Sequence, residues 1–386
     1  MLSEANAPVI RATLPVVGEH LEAITGTFYE TMLGDHPGLL NTFSRSAQAT
    51  GEQKSALAGA IAAYGAHLAG LGGMPDEAVD TIVERIAARH AALGIRPEQY
   101  TLVGKYLLGA VGTVLGSAVT PAVAAAWDEV YWLFAVRLIG REARLYQGAG
   151  VTDREPFQRV TVLARERAAA DTVSFTLSSA APFQAGQYLS VAADLPDGTR
   201  QIRQYSLSGT PGAPLRITVR RVPGGAVSNW LHSSVHTGDT LTVSPPYGSL
   251  TLRPGGHPLL LVSAGVGITP MASILAHVAD GQPGRAVTLA HAERTPDRHA
   301  LRDWVDAHGS RIPGFRHLVW YGSEHGALDP ARLPIGPDTE AYLCGPIPFM
   351  RLVRTALLAR GVPAERIRYE VFGADRFTAA PTPALS

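Results

Sequence analysis

Cysteine is almost missing from this chain. Cys344 is the only one in 386 residues, so no intrachain disulfide can form, as suits a reducing compartment. An excess of either charge is missing as well: Lys+Arg and Asp+Glu each number 33. Nothing therefore draws the whole chain to nucleic acid or to an anionic membrane surface. No apolar run approaches the ~20 residues that a bilayer-spanning helix needs. Glu4, Arg11, Glu19 and Glu22 interrupt the stretch in which a secretory signal would keep its apolar core. Internal repeats are lacking too. These absences point to a soluble, cytoplasmic protein without nucleic-acid or membrane partners; a chain this long exceeds one core of ~150 residues and is expected to hold two or three domains in a monomer.

What is present changes character twice. Up to Tyr146 the pattern is helical and rich in Ala, with Val79, Ile82, Val83, Ile86 and His90 at helical spacing. Gly94 and Pro97 end one helix and open the next. A second long helix is predicted from Ala124 to Tyr146, with Trp127, Tyr131, Phe134 and Leu138 on one stripe, and residues 147–152 read as a hinge. After Phe157 the period drops to two. Strands are predicted at Arg159–Arg165, Thr172–Leu177, Tyr188–Ala192, Gln201–Leu207, Leu215–Val222 and Thr240–Val243, spaced as in an antiparallel barrel or sandwich. From His257 onward, strands at Leu259–Ser263, Ala286–His291, His317–Tyr321, Glu340–Cys344 and Ile367–Val371 alternate with helices after Pro270, around Leu301–His308 and after Pro348. Such alternation predicts a parallel sheet covered on both faces. The expected architecture is an all-α domain over 1–148, an antiparallel β-barrel over 152–255 and an α/β parallel-sheet domain over 256–373, with a disordered tail at 374–386.

Arg203-Gln204-Tyr205-Ser206 puts a cation, an aromatic ring and a hydroxyl into one β-rich stretch. A flavin needs a flat aromatic neighbour, hydrogen bonds at N5 and its carbonyl edge, and a cation or N–H groups for its pyrophosphate. Gly224-Gly225-Ala226-Val227-Ser228-Asn229 adds a glycine turn leading into a helix, a second device for anions. A polar sheet edge with an incidental Arg is the plain alternative. Gly265-Val266-Gly267-Ile268-Thr269-Pro270 joins the buried run 257–263 to a helix. Its glycines let backbone approach a pyrophosphate, and Pro270 fits a first helical turn. Such a turn is often only a turn. Cys344-Gly345-Pro346 ends another predicted strand, and ligands of open parallel sheets gather at the carboxyl ends of the strands. Cys344 also reads as a small buried hydrophobe.

In this order, Arg-x-Tyr-Ser, Gly-x-Val-Ser, Gly-x-Gly-x-x-Pro and Cys-Gly-Pro resemble the ferredoxin–NADP reductase superfamily, where an FAD-binding barrel precedes a nicotinamide-binding domain. The resemblance implies that Arg203, Gln204, Tyr205 and Ser206 hold FAD together with Gln187 and Tyr188. Val227 and Ser228 would meet its pyrophosphate, and Phe372 would lie against the ring. Gly265, Val266, Gly267, Ile268, Thr269 and Pro270, with Cys344, Gly345 and Pro346, would bind NADH or NADPH. Glu293, Arg294 and Arg298 follow the second strand of that domain, where acid favours a free ribose 2′-hydroxyl and base a 2′-phosphate. Both are there, and the reading leans to NADH.

A helical domain fused to a flavin reductase points to a one-electron acceptor, because a flavin can split a hydride into single electrons. Haem is the natural candidate and needs an axial ligand on an apolar helical face. His90 continues the Val79 stripe just before Gly94. A lone His there is more often a core residue, and His20, His36 and His67 compete. Residues 1–147 resemble the globin domain of flavohaemoglobins. The resemblance is carried by Phe28-Tyr29, Asn41-x-Phe43, Gln53-x-x-Ala56-Leu57, Arg89-His90, Arg96-Pro97-Glu98-Gln99-Tyr100 and Arg141-Glu142-Ala143. It implies that His90 is the proximal ligand of haem b, linked to Tyr100 and Glu142. Tyr29, Gln53 and Leu57 would then line the distal pocket, with Phe43 against the porphyrin. Without it, Glu142 reads as a solvated carboxylate near a helix end. The chain departs from the pattern at Arg89, where many relatives carry Lys, at Ile268, where some have a polar side chain, and at Val371, where a Cys is common.

The implied activity is NAD(P)H-dependent nitric oxide dioxygenation, with electrons passing through FAD to haem and NO and O2 leaving as nitrate. Two other readings share these domains. One is a reductase of peroxides or ferric chelates; the other is an oxygen-binding or sensing globin kept ferrous by its reductase. A sensor would carry an output module, and none is visible.

Overall fold

The structure, a computed structural model, describes residues 2–41, 52–71, 76–151 and 156–372, with the side chains of 40–41 and 52–58 outside the description. Phe43 and the expected tail at 374–386 therefore lie outside the described residues, as do the side chains of Gln53 and Leu57. The chain forms two compact units, the second running Phe157–Phe372.

In the first unit, α1 (Ala7–Glu19), α2 (Leu21–Asp35), α3 (Glu52–Leu68), α4 (Asp76–Leu93), α5 (Pro97–Leu115) and α6 (Pro121–Gly148) share one apolar core. The stripe Trp127, Tyr131, Phe134 and Leu138 is buried along α6, each side chain contributing about 1.5–3 kcal/mol of burial. Gly94 stops α4 by adopting φ +75°, a conformation that costs a side chain but not Gly. Pro97 then opens α5, whose first turn is closed by the Gln99 side chain accepting the Arg96 N–H at 2.8 Å. The hinge comes later than the sequence suggests, because α6 runs through Gly148 before Gly150 turns to φ +69°. A second correction concerns membranes: the helical stretch 97–118 is long and apolar enough to cross one by length and composition. Here Tyr100, Leu107, Ala110 and Val111 of that stretch are core residues.

The second unit opens with β1 (Gln158–Ala169), β2 (Thr172–Leu177), β3 (Tyr188–Asp194), β4 (Arg200–Ser206), β5 (Arg216–Arg220) and β6 (Thr240–Val243), in the order β4-β3-β6-β1-β2-β5. An antiparallel bridge between Leu207 and Ile217 joins the two edge strands and closes the sheet on itself. That contact brings the two edges together at one point, as in a barrel. Helix α7 (Ala226–Ser234) follows β5 and buries Val227 and Leu231 against the barrel core.

A parallel sheet follows, built of β7 (Leu259–Ala264), β8 (Val287–Glu293), β9 (Arg316–Tyr321), β10 (Glu340–Cys344) and β11 (Ile367–Glu370) in the order β11-β10-β7-β8-β9. Its helices are α8 (Ile268–Gly281), α9 (Arg302–Gly309), the short α10 (Gly322–His325) and α11 (Ile347–Ala359). Helix α8 begins two residues before Pro270, which sits in its first turn. Strand order reverses between β7 and β10, and a doubly wound sheet opens a binding crevice at the carboxyl ends of such a pair.

Candidate haem, flavin and nucleotide sites

His90 lies in the last turn of α4, and its Nδ1 stands 2.8 Å from Glu142 Oε1 and 2.9 Å from the Tyr100 hydroxyl. Tyr100 donates to the same carboxylate oxygen at 2.5 Å. Burial pushes the Tyr100 phenol far above its ordinary range, and the Glu142 charge pushes it further, so it stays protonated and donates. A carboxylate only accepts, so the His90 Nδ1 is the donor of this pair, and Nε2 is the ring nitrogen that would serve as a metal ligand. Glu142 is only 2% exposed, whereas the His90 side chain is 32% exposed. Glu142 is thus a buried acceptor, not the solvated carboxylate the sequence alone suggests. The rival histidines lack such support. His20 bonds the Val16 carbonyl, His36 stacks edge-on to Tyr106, and His67 pairs with a largely exposed Asp76.

Helix α6 also grips the backbone around this site. The Tyr131 hydroxyl donates to the Tyr100 carbonyl at 2.5 Å and the Tyr146 hydroxyl to the Ile95 carbonyl at 2.7 Å. Tyr131 can stand there because residue 104 is Gly; a Cβ would lie 2.5 Å from its ring. Tyr29 is buried in α2, edge-on to Phe28, and burial raises its phenol so that it too stays protonated. Among the described residues no cluster of three or more His, Cys, Asp or Glu could hold a metal ion, and a single axial imidazole requires none.

In the barrel, the β3–β4 register sets Tyr188 opposite Ser206, Leu189 opposite Tyr205 and Val191 opposite Arg203. Ser206 is 4% exposed and its hydroxyl has no partner among the described residues, a cost of about 1–3 kcal/mol unless a ligand satisfies it. Arg203 donates to the Ile202 carbonyl and the Gln201 side chain, which fixes part of its guanidinium in place. Gln204 is exposed, and Gln187 uses its side-chain oxygen on the Gln184 N–H. Val227 is interior, and the Ser228 hydroxyl accepts the Val222 N–H at 3.1 Å. That hydroxyl therefore shapes the glycine loop that leads into α7. Phe372, after β11, is exposed.

In the nucleotide sheet, the two glycine motifs meet at the β7/β10 crevice. A Cβ on Gly267 would collide with the Cys344 carbonyl, and one on Gly345 would lie 3.0 Å from Ala264 Cβ. Gly267 is thus demanded by the packing of one turn on the other. Gly265 takes φ +56°, while Ile268, Thr269 and Pro270 are buried and Thr269 donates to the Val266 carbonyl at 2.9 Å. Cys344 is fully buried, and burial drives its thiol well up. The small-hydrophobe reading holds for that side chain, and exposed Pro346 with half-buried Gly265 and Val266 forms the accessible rim.

Comparison with known proteins agrees with this layout. Residues 26–137 match the globin family model, 159–252 the oxidoreductase FAD-binding domain and 261–334 the oxidoreductase NAD-binding domain. The flavohemoprotein of Bordetella pertussis is 40% identical over 97% of this chain and 99% of its own length. That of Deinococcus radiodurans is 39% identical over 97% of each. The crystal structure of flavohemoglobin from Malassezia yamatoensis with bound FAD and heme superposes with a TM-score of 0.89 at 34% identity, over 96% of this chain and 100% of that one. The chain belongs to the flavohaemoglobin family. Its helical globin domain, antiparallel FAD domain and parallel nucleotide-binding domain carry haem, FAD and a pyridine nucleotide, and it is an NAD(P)H-dependent oxidoreductase. A further match is the FAD/NAD-binding domain of nitric oxide dioxygenase from Vibrio cholerae, 35% identical with a TM-score of 0.53 over 56% of this chain and 98% of that one.

The residues of this flavohaemoglobin fit those groups. His90 has the donor chemistry of an axial ligand backed by a carboxylate, and the Ser206 hydroxyl is a buried group without a partner among the described residues, which a flavin atom would satisfy. Glu293 and Arg298 belong to a charge cluster beside the nucleotide sheet whose other members, Arg220 and Asp171, the sequence does not reveal. Arg220 of β5 pairs with Glu293 at the end of β8 and lies 3.5 Å from Asp171, which in turn pairs with Arg298. Glu293 and Arg298 stand out after the second strand, but nothing local marks their partners, since 73 positions separate Arg220 from Glu293 and 127 separate Asp171 from Arg298. A layer of three histidines, His291, His299 and His317, is likewise brought together only by the pairing of β8 with β9 and the loop between them.

Proposed function

We propose that this flavohaemoglobin is a nitric oxide dioxygenase working as a cytoplasmic monomer, with a globin domain over 1–148, a barrel over 152–255 and a nucleotide domain over 256–373. Bound FAD and haem would supply the electron chemistry, one electron for each NO that combines with O2 to give nitrate, so that one NAD(P)H serves two NO. The chain's own residues do the rest. Glu142 holds the Nδ1 proton of His90, which makes Nε2 a strongly basic axial donor. Tyr100 fixes that carboxylate by its own hydrogen bond. Tyr29, kept protonated, is the assigned distal hydrogen-bond donor, with Gln53, Leu57 and Phe43 completing that pocket. Arg203, Gln204, Tyr205 and Ser206, with Gln187, Tyr188, Val227, Ser228 and Phe372, are assigned to FAD. Residues 265–270 and 344–346 are assigned to the nucleotide.

The observation that carries this reading is the buried Glu142 oxygen 2.8 Å from His90 Nδ1. An oxygen store gains nothing from an anionic push on the ligand, whereas a centre that must activate bound oxygen does. The test gives purified protein NADH or NADPH with O2, titrates NO at an electrode and counts nitrate, after a visible spectrum has shown haem and flavin. Consumption of NO with matching nitrate, lost in His90→Ala, is the expected result. If wild-type consumption does not exceed that of the variant, the proposal is wrong. Size-exclusion chromatography reads the monomer.

A further inference from the structure

We infer that the preferred electron donor is a 2′-phosphorylated dinucleotide, NADPH, and that Arg294 selects it. The inference rests on the reading of this domain as the nucleotide site of an NAD(P)H-dependent oxidoreductase. In a doubly wound sheet the adenosine ribose lies beyond the second strand, where an acid accepts from the 2′-hydroxyl or an arginine meets a 2′-phosphate. Here that strand is β8, and it ends in Glu293 followed by Arg294. The sequence offers both chemistries; the packing removes one of them.

Glu293 is sealed. Its side chain is 2% exposed, one carboxylate oxygen is taken by Arg220 of the barrel, and the other accepts the Arg294 N–H at 2.8 Å. Arg220 is itself fixed, bonding the Arg298 carbonyl at 3.1 Å and lying 3.5 Å from Asp171. A ribose hydroxyl would have to displace that buried ion pair, which costs several kcal/mol when one charge is left alone. Arg298, the second cation in the sequence, is committed to Asp171. Arg294 is exposed, and its guanidinium makes no hydrogen bond or ion pair among the described residues. Its carbonyl accepts the Ser323 N–H at 3.0 Å, which ties the residue to the start of α10 just beyond β9. The carboxyl end of β8 thus presents a fixed backbone and a free planar cation, while its own acid, Glu293, is already taken. That is the donor set for a phosphate, which an arginine can engage through two N–H groups.

The test follows flavin reduction of the full-length holoenzyme by rapid mixing with NADPH and with NADH. NADPH is expected to be favoured in kcat/KM by roughly tenfold or more, the size of one hydrogen bond to a charged group. Arg294→Ala should bring the ratio toward one and Arg294→Glu should reverse it. Direct titration supplies a readout that needs no turnover: 2′-AMP should bind more tightly than 5′-AMP, and Arg294→Ala should abolish the difference. Equal or greater efficiency with NADH, or a ratio indifferent to Arg294, overturns the inference. Should neither nucleotide reduce the flavin, the oxidoreductase reading itself falls. The titration then still decides this inference, since equal binding of the two nucleotides refutes it and an Arg294-dependent preference for 2′-AMP sustains it.

Discussion

Acid should loosen the nucleotide sheet before anything else in its unit, because three imidazoles cluster at β8 and β9. The His291 and His299 rings lie 4.4 Å apart, with His317 5.7 Å beyond His299. Each uses Nδ1: His291 on the Ser263 hydroxyl, His299 on the Tyr321 hydroxyl and His317 on Asp306. Each leaves a buried Nε2 without a partner among the described residues. A proton added to His291 or His299 would create a buried cation with an N–H facing no acceptor. Burial, with His317 and Arg302 opposing the charge and Asp306 favouring it, pushes His299 down to about 4 from an ordinary 6.5. His291 moves the same way, by burial first and then by repulsion from His299, His317 and Arg220. Between pH ~6.5 and ~4 the unfolded chain therefore binds a proton that native His299 refuses. Stability is at its full value above that window and falls as pH drops through it. At 1.36 kcal/mol per unit, His299 alone accounts for about 3 kcal/mol. Hydrogen exchange of β8 and β9 amides, corrected for intrinsic rates, reads this locally without assuming that two compact units unfold together. Protection should fall by about that amount between pH 7 and 4.5, and His299→Gln should flatten the slope. Protection that stays constant over this range, or an unchanged slope in the variant, would refute the reasoning.

Other outcomes follow from the same geometry. Glu142→Gln keeps the shape beside His90 but removes the anionic acceptor; NO consumption should fall roughly 10–100-fold and the haem reduction potential should rise. A variant at the wild-type rate and potential would rule out the proximal push. Gly267→Ala forces a methyl into the Cys344 carbonyl, so flavin reduction by nucleotide should slow sharply while the haem spectrum is unchanged; normal reduction kinetics would mean that the crevice tolerates the clash. Ser206→Ala deletes a buried hydroxyl without a partner; FAD affinity should drop roughly tenfold while the flavin-free protein loses no thermal stability, and the opposite pattern would make Ser206 a packing residue.

The sequence by itself determined what is local. The α6 stripe of Trp127, Tyr131, Phe134 and Leu138 repeats at the helical period, and Gly94 with Pro97 marks a boundary through backbone properties of single residues. The strands Thr172–Leu177, Thr240–Val243 and Glu340–Cys344 are legible to the residue for the same reason. Tertiary structure decided what depends on distant partners. Glu142 reads as a surface acid until α6 lays it beside His90, 52 positions away. Gly267 reads as a phosphate turn until β10 brings the Cys344 carbonyl against it. Glu293 reads as a ribose acceptor until Arg220 of a different sheet takes it. A side chain's charge and shape are written in its own residue, but whether it is buried, paired or available is a property of its neighbours, and those are chosen by the fold.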